Sequence, residues 1–146
     1  MPLEDNLRRI RERIEKSAII HNSRKIVLVC VTKNVPVEKI RLAIQNGITD
    51  IGENRVQEAR QKFLPSPLPP GIRKHFIGHL QTNKVKKATA LFDLIQSIDS
   101  YALAKEVDSC ALKAGKVQDC LCEVKVSDEP AKFGCPSEEV GDLIER

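Results

Sequence analysis

The sequence has few aromatic residues and only a slight excess of positive charge. Its 146 residues include one Tyr, four Phe and no Trp, and 24 Lys and Arg stand against 20 Asp and Glu, a net charge of +4. Few rings leave few platforms for stacking bases, and so small an excess does not indicate nucleic acid. No apolar run approaches the length of a membrane span, and no signal peptide is visible. We therefore expect a cytoplasmic chain that binds neither nucleic acid nor membrane.

The five cysteines show no disulfide or zinc framework. Their number is odd, and Cys120 and Cys122 lie closer together than the two cysteines of a zinc knuckle. His75 and His79 would share a face if both lay on one strand, but no third metal ligand accompanies them. We predict reduced thiols and no metal. The sequence also lacks a nucleophile elbow and a phosphate-binding P-loop.

Apolar runs and helical patterns alternate along the chain. The first helix has an apolar face at helical spacing, formed by Leu3, Leu7, Ile10 and Ile14. Strands are predicted at 26–32, 49–52, 74–78, 94–98 and 118–126, and helices at 36–46, 55–63, 83–92, 100–114 and from 137 onward. A leading helix followed by five βα units predicts an α/β fold with parallel strands and right-handed crossovers. We expect residues 1–146 to form a single domain.

Polar residues follow each predicted strand, at the edge where parallel α/β folds bind ligands. The first is Lys33, which by strand alternation shares a face with Val29 and Val31 and so lies among apolar side chains. A lysine in such surroundings loses its charge more readily, and a neutral amine can form a Schiff base with an aldehyde. The alternative is a lysine that ends the strand and extends into water. Likewise, the other polar residues can simply cap the following helices, as Asp99 or Ser100 would.

Three motifs, in order, resemble the pyridoxal-phosphate homeostasis protein family. They are Val29–Lys33 with Pro36 and Val37, then Asp50–Glu58, then His75–Lys84. Two further segments, Gln96–Asp99 and Ser127–Gly134, extend the resemblance over nearly the whole chain. The resemblance implies a fold like the N-terminal domain of alanine racemase, which is a TIM-type (β/α) barrel that holds pyridoxal 5'-phosphate (PLP).

The resemblance also implies a set of cofactor-binding residues. Lys33 would hold PLP as an internal aldimine, and Asn54 would lie beside the cofactor. Lys132 matches a family lysine implicated near the site, and we assign His79 from the third motif to the same site. No catalytic residue is expected, because the family is regarded as a PLP carrier or regulator in vitamin B6 homeostasis rather than as an enzyme.

Two other functions stay open from the sequence. The first is a PLP-dependent racemase or decarboxylase on the same type of barrel, which needs acid and base groups on both cofactor faces. Tyr101, the only tyrosine, lies at a predicted helix start rather than in a second-face position. The second is an inactive, truncated product that has no function alone.

The sequence departs from the family pattern in three ways. Val35 replaces a common second lysine, and Lys125 replaces a usual asparagine on the fifth strand. The chain is also short, because a closed barrel has eight strands and usually needs roughly 200 residues or more. The family motifs for the phosphate, a Ser-Met-Gly-Met-Ser segment and a later Gly-Thr pair, have no counterpart. We therefore expect a partial, truncated barrel that binds PLP weakly and self-associates through open barrel edges.

Overall fold

The computed structural model describes residues 2–20, 26–127, 129 and 132–145. Asp128, Pro130 and Ala131, which belong to the last predicted motif, lie outside the described residues. The first half contains α1 (Leu3–Ile20), β1 (Val29–Val31), α2 (Val37–Gln45), β2 (Asp50–Glu53), α3 (Val56–Phe63) and β3 (Arg73–Phe76). The second half contains α4 (Val85–Thr89), β4 (Leu94–Ile98), α5 (Tyr101–Lys113), β5 (Asp119–Cys122), β6 (Val124–Lys125), β7 (Cys135–Pro136) and α6 (Val140–Glu145). Short 3₁₀ turns at Thr82–Lys84 and Ser137–Glu139 lead into α4 and α6.

Five strands form one sheet in the order β1-β2-β3-β4-β5, and every neighbouring pair is parallel. Strands that follow one another in both sequence and space, with a helix between them, are the arrangement of a (β/α) barrel. The predicted fold class, a partial barrel with an N-terminal helix and five βα units, is confirmed. A separate pair, β6 and β7, is also parallel.

The apolar core lies between the sheet and its helices. Ile51, Phe76 and Ile95 are each at most 1% exposed and belong to the same core cluster as the inward faces of the helices. Phe76 and Phe92 meet with ring centroids 5.2 Å apart at a tilt of 58°, an arrangement that aromatic pairs prefer. Because side chains alternate along a strand, the residues between these, such as Gly52 and His75, lie on the opposite, concave face.

Several predicted element boundaries are wrong. The strand predicted at 26–32 spans only Val29–Val31, and the one predicted at 118–126 is divided at Glu123 into β5 and β6. The strand predicted at 74–78 ends at Phe76. It therefore contains His75 but not His79, so the two histidines do not share a strand face.

Three features bear on the expected partners. Among the described residues, no helix is both long enough and apolar enough to cross a bilayer. Within the same residues, no three His, Cys, Asp or Glu side chains are grouped so that they could hold a metal ion. All five cysteines are free thiols.

Candidate functional site

Lys33 lies in a turn just beyond β1, and its side chain is exposed. The turn is closed by a 3.0 Å hydrogen bond from the Val35 N–H to the Thr32 carbonyl. Asn34 has a φ of 58°, a left-handed conformation that asparagine tolerates better than most residues. The expectation that Lys33 lies among apolar side chains is therefore wrong, because the strand ends before it. Its amine is instead accessible at the carboxyl-terminal edge of the sheet, which we call the rim.

Asn54 lies at the same rim, directly after β2. The parallel register pairs Val31 with Gly52, so the turn after β1 and Asn54 after β2 lie at the ends of two neighbouring strands. The Asn54 Oδ1 atom is buried without a hydrogen-bond partner. On its other side the chain approaches so closely that a Cβ built on Gly78 would lie 2.2 Å from the Asn54 carbonyl oxygen. Asn54 is thus tightly confined, with an acceptor left unsatisfied.

His79 lies farther along the rim and contacts the loop that follows β6. Its ring stacks on Phe133 with centroids 3.7 Å apart and 13° between the planes. Its Nδ1 atom is 3.5 Å from Asp99 Oδ2. Lys132, next to Phe133, is exposed and forms a 2.9 Å ion pair with Glu129. The structure thus brings His79 and the Lys132 loop together, but the contacts of Lys132 itself are with its own loop.

Beneath the Lys33 turn lies a polar cluster that the sequence reasoning missed. We call it the turn network, and it consists of Thr32, Asn34, Glu53, Glu58 and Lys62. Glu53 is 1% exposed and its Oε1 atom accepts hydrogen bonds from the Thr32 hydroxyl at 2.7 Å and from Lys62 Nζ at 2.9 Å. The sequence contains a sign of this cluster. Glu53 is two residues after Ile51 on β2, so both side chains point toward the helices, and a charged group buried on that face needs a partner.

The concave face of the sheet carries a second polar cluster that the sequence did not predict. Gln96 Nε2 lies 2.8 Å from His75 Nδ1, and His75 Nε2 lies 2.9 Å from Asp50 Oδ1. With the Gln96 amide donating to Nδ1, the histidine proton lies on Nε2 and is donated to Asp50. Burial raises the pKa of Asp50, but hydrogen bonds from Thr49 and His75 outweigh it and leave that pKa below its ordinary value. His75 is therefore held by structural partners rather than free to bind a ligand.

The rim residues fit the reactive groups of PLP. PLP carries an aldehyde, with which an exposed amine such as Lys33 can condense, and a ring hydroxyl that can donate to an unsatisfied acceptor. Asn54 Oδ1 is such an acceptor. A cavity beside it is lined by Arg55, His79, Gln81 and Lys84, among others. These residues give the rim near Asn54 a cationic and polar character suited to an anionic ligand.

A parallel α/β sheet with this strand order defines a barrel-type protein, a class in which ligands bind at the carboxyl ends of the strands. The family model described as alanine racemase, N-terminal domain, matches residues 2–146. The chain therefore belongs to the alanine racemase N-terminal domain family, as the sequence motifs implied.

Individual relatives agree with this assignment. A protein of Aquifex aeolicus named pyridoxal phosphate homeostasis protein is 40% identical over 139 residues, which are 95% of this chain and 60% of that relative. PipY of Synechococcus elongatus, solved with PLP bound, is 34% identical with a TM-score of 0.73, over 90% of this chain and 62% of PipY. Without PLP, the same protein gives 35% identity and a TM-score of 0.76. The chain thus spans less than two thirds of the length of these relatives.

Proposed function

We propose that this chain binds PLP covalently through Lys33 and serves PLP homeostasis rather than catalysis. The observation that carries the proposal is the rim geometry, in which the exposed Lys33 and the unsatisfied Asn54 Oδ1 lie just beyond the ends of two neighbouring parallel strands. Relatives named for PLP homeostasis, and a similar protein solved with PLP, support the choice of ligand.

The chemistry required of the chain is limited to one reversible condensation. The Lys33 nitrogen adds to the aldehyde carbon, a C=N bond forms, and the carbonyl oxygen leaves as water. Asn54 would orient the ring by accepting a hydrogen bond from its hydroxyl group. His79, which lines the cavity beside Asn54, would border the bound cofactor together with Lys132 on the loop that His79 contacts. We place this function in the cytoplasm, where the five free thiols would stay reduced.

The absence of catalysis is part of the proposal. Racemisation needs proton-transfer groups on both faces of the cofactor. Tyr101, the only tyrosine in the sequence, is the first residue of α5, as the sequence predicted. A racemisation assay with L-alanine and PLP should therefore show no rate above that of free PLP.

Peptide mapping after borohydride reduction tests the Lys33 assignment. Borohydride makes the adduct permanent, so we expect a PLP-modified peptide that contains Lys33 in excess over other lysine peptides. Lys39 is a matched reference, because it is also exposed and lies six positions away on α2. Equal labelling of Lys33 and Lys39 at limiting PLP would contradict the proposal.

A further inference from the structure

Lys62 forms the centre of the turn network. Its Nζ atom contacts the Thr32 carbonyl at 2.7 Å, Glu53 Oε1 at 2.9 Å and Glu58 Oε1 at 2.6 Å. An ammonium group has three donors, and here each has its own acceptor. The Lys62 side chain is only 14% exposed, which is rare for a lysine unless it is paired. The network therefore joins α3 to the ends of both β1 and β2 by charge-assisted hydrogen bonds.

The same network holds both neighbours of Lys33. The Thr32 carbonyl accepts from Lys62 Nζ and from the Val35 N–H, and the Thr32 N–H donates to the Gly52 carbonyl at 2.9 Å. On the other side, the Asn34 N–H donates to Glu58 Oε1 at 2.6 Å. Lys33 thus extends into solvent from a backbone that is fixed immediately before and after it.

We propose that Lys62 and Glu58 are positioning residues, which set the place of Lys33 at the rim and thereby make it react with PLP in preference to other lysines. The inference rests on the proposed function, because it explains the selectivity of the same lysine. A reacting group that is held close to its bound partner gains rate, because less orientational freedom is lost on the way to reaction. Pairing of β1 with β2 does not require the network, since its three register pairs are made by the backbone.

The test measures the ratio of borohydride-trapped PLP on Lys33 to that on Lys39, at limiting PLP and short reaction time. Lys62→Met removes the centre of the network, and Glu58→Leu removes the acceptor of the Asn34 N–H. We expect both substitutions to lower the ratio about tenfold, the scale of a lost hydrogen bond to a charged group.

Two matched variants should keep the ratio within about twofold of the wild-type value. Glu58→Gln retains an oxygen that can accept from the Asn34 N–H, and Gln61→Leu changes an exposed residue on the same helix. Lys39 serves as an internal reference for PLP concentration and reaction time. Because loss of structure would also bring the ratio toward one, the ratio is compared only among variants whose circular dichroism matches that of the wild type.

The outcomes separate this inference from the function on which it rests. A wild-type excess on Lys33 that persists in Lys62→Met and Glu58→Leu would overturn the inference and leave PLP binding at Lys33 intact. No wild-type excess on Lys33 would overturn both. If Lys62→Met fails to fold by circular dichroism, Glu58→Leu decides the question, because the Glu58 side chain is more exposed than that of Lys62 and its removal leaves the pair between Lys62 and Glu53 in place.

Discussion

At the scale of single residues, the contacts of Lys62 dominate the electrostatics beneath the rim. Lys62 pairs with Glu53, which is buried, and with Glu58, which is partly exposed. Removing one partner from a buried ion pair leaves the other charge uncompensated, at a cost of about 3–5 kcal/mol. If Lys62 were removed, the buried Glu53 would be left without a charged partner. Its second oxygen, Oε2, has no hydrogen-bond partner among the described residues even when Lys62 is present. The stability of the network therefore depends most on the charge of Lys62.

Acid should weaken this network through Glu58. The hydrogen bond from Lys62, helped by the one from the Asn34 N–H, holds the pKa of Glu58 below its ordinary value. A carboxyl group with a lowered pKa contributes stability that is complete above its unfolded-state pKa and is lost as the pH falls through its folded-state pKa. The stability advantage of the wild type over Glu58→Gln should therefore shrink as the pH falls below about 5.

Urea unfolding of both chains at pH 7, 5 and 3 measures this advantage. The wild-type midpoint should move toward or below that of Glu58→Gln between pH 5 and pH 3. A difference between the midpoints that stays constant with pH would show that Glu58 carries no lowered pKa.

At the scale of elements, the backbone after β3 packs directly against the backbone after β2, and no side chain fits between them. A Cβ on Gly78 would collide with backbone atoms of Asn54, which cannot rotate away as a flexible side chain can. The glycine therefore allows two neighbouring strand ends to approach, and this approach confines Asn54 at the rim.

Gly78→Ala should accordingly destabilise the protein by about 1–3 kcal/mol, the usual cost of overpacking. Gly141→Ala is the matched control, because a Cβ there meets nothing within 4 Å and alanine favours a helix such as α6. Chemical denaturation compares the two. Equal unfolding free energies in Gly78→Ala and Gly141→Ala would show that the close approach is absent.

The order and type of the elements could be predicted from sequence, but several of their ends could not. The helix predicted at 83–92 is regular only over Val85–Thr89. The residues after Thr89 leave the helix and lead to Asp93, which is bound to β3. The Asp93 N–H donates to the Lys74 carbonyl, and the Asp93 carboxylate accepts from the Lys74 N–H at 2.7 Å. Such bonds join residues on neighbouring strands, so no local pattern contains them. The helix cap at Ser100, which accepts from the Leu103 N–H, is local and was anticipated.

The same holds for the candidate site, in which local motifs were predictable and long-range contacts were not. The motifs place Lys33 and Asn54 at strand ends, and in the structure these are the ends of two neighbouring strands. The turn network depends on contacts that no local pattern contains, such as those of Thr32 with Glu53, 21 positions away, and with Lys62, 30 positions away. The roles of Lys33, Asn54, His79 and Lys132 in binding PLP, and the single domain, stay predictions.

At the scale of the whole molecule, β1 and β5 are the outer strands of the described sheet. Outer strands present unpaired backbone groups that can pair with another chain. Val31 on β1 is 48% exposed and Leu121 on β5 is 52% exposed, so both edges also present apolar side chains to solvent.

We expect the protein to self-associate through these edges in a concentration-dependent way. Light scattering should show a rising average mass, and Leu121→Lys should reduce it, because a charge on an edge strand opposes pairing. Leu42→Lys is the control, since Leu42 is 43% exposed but lies on the helix α2 rather than on an outer strand. A constant monomer mass at every concentration would contradict the expectation.

The central claim is that Lys33 binds PLP, and a visible absorbance titration tests it most directly. A Schiff base between PLP and a protein amine absorbs differently from free PLP. We predict that the wild type and Lys39→Ala develop the same saturable band, and that Lys33→Ala does not develop it. A band of equal strength in Lys33→Ala, or no saturable band in the wild type, would contradict the account.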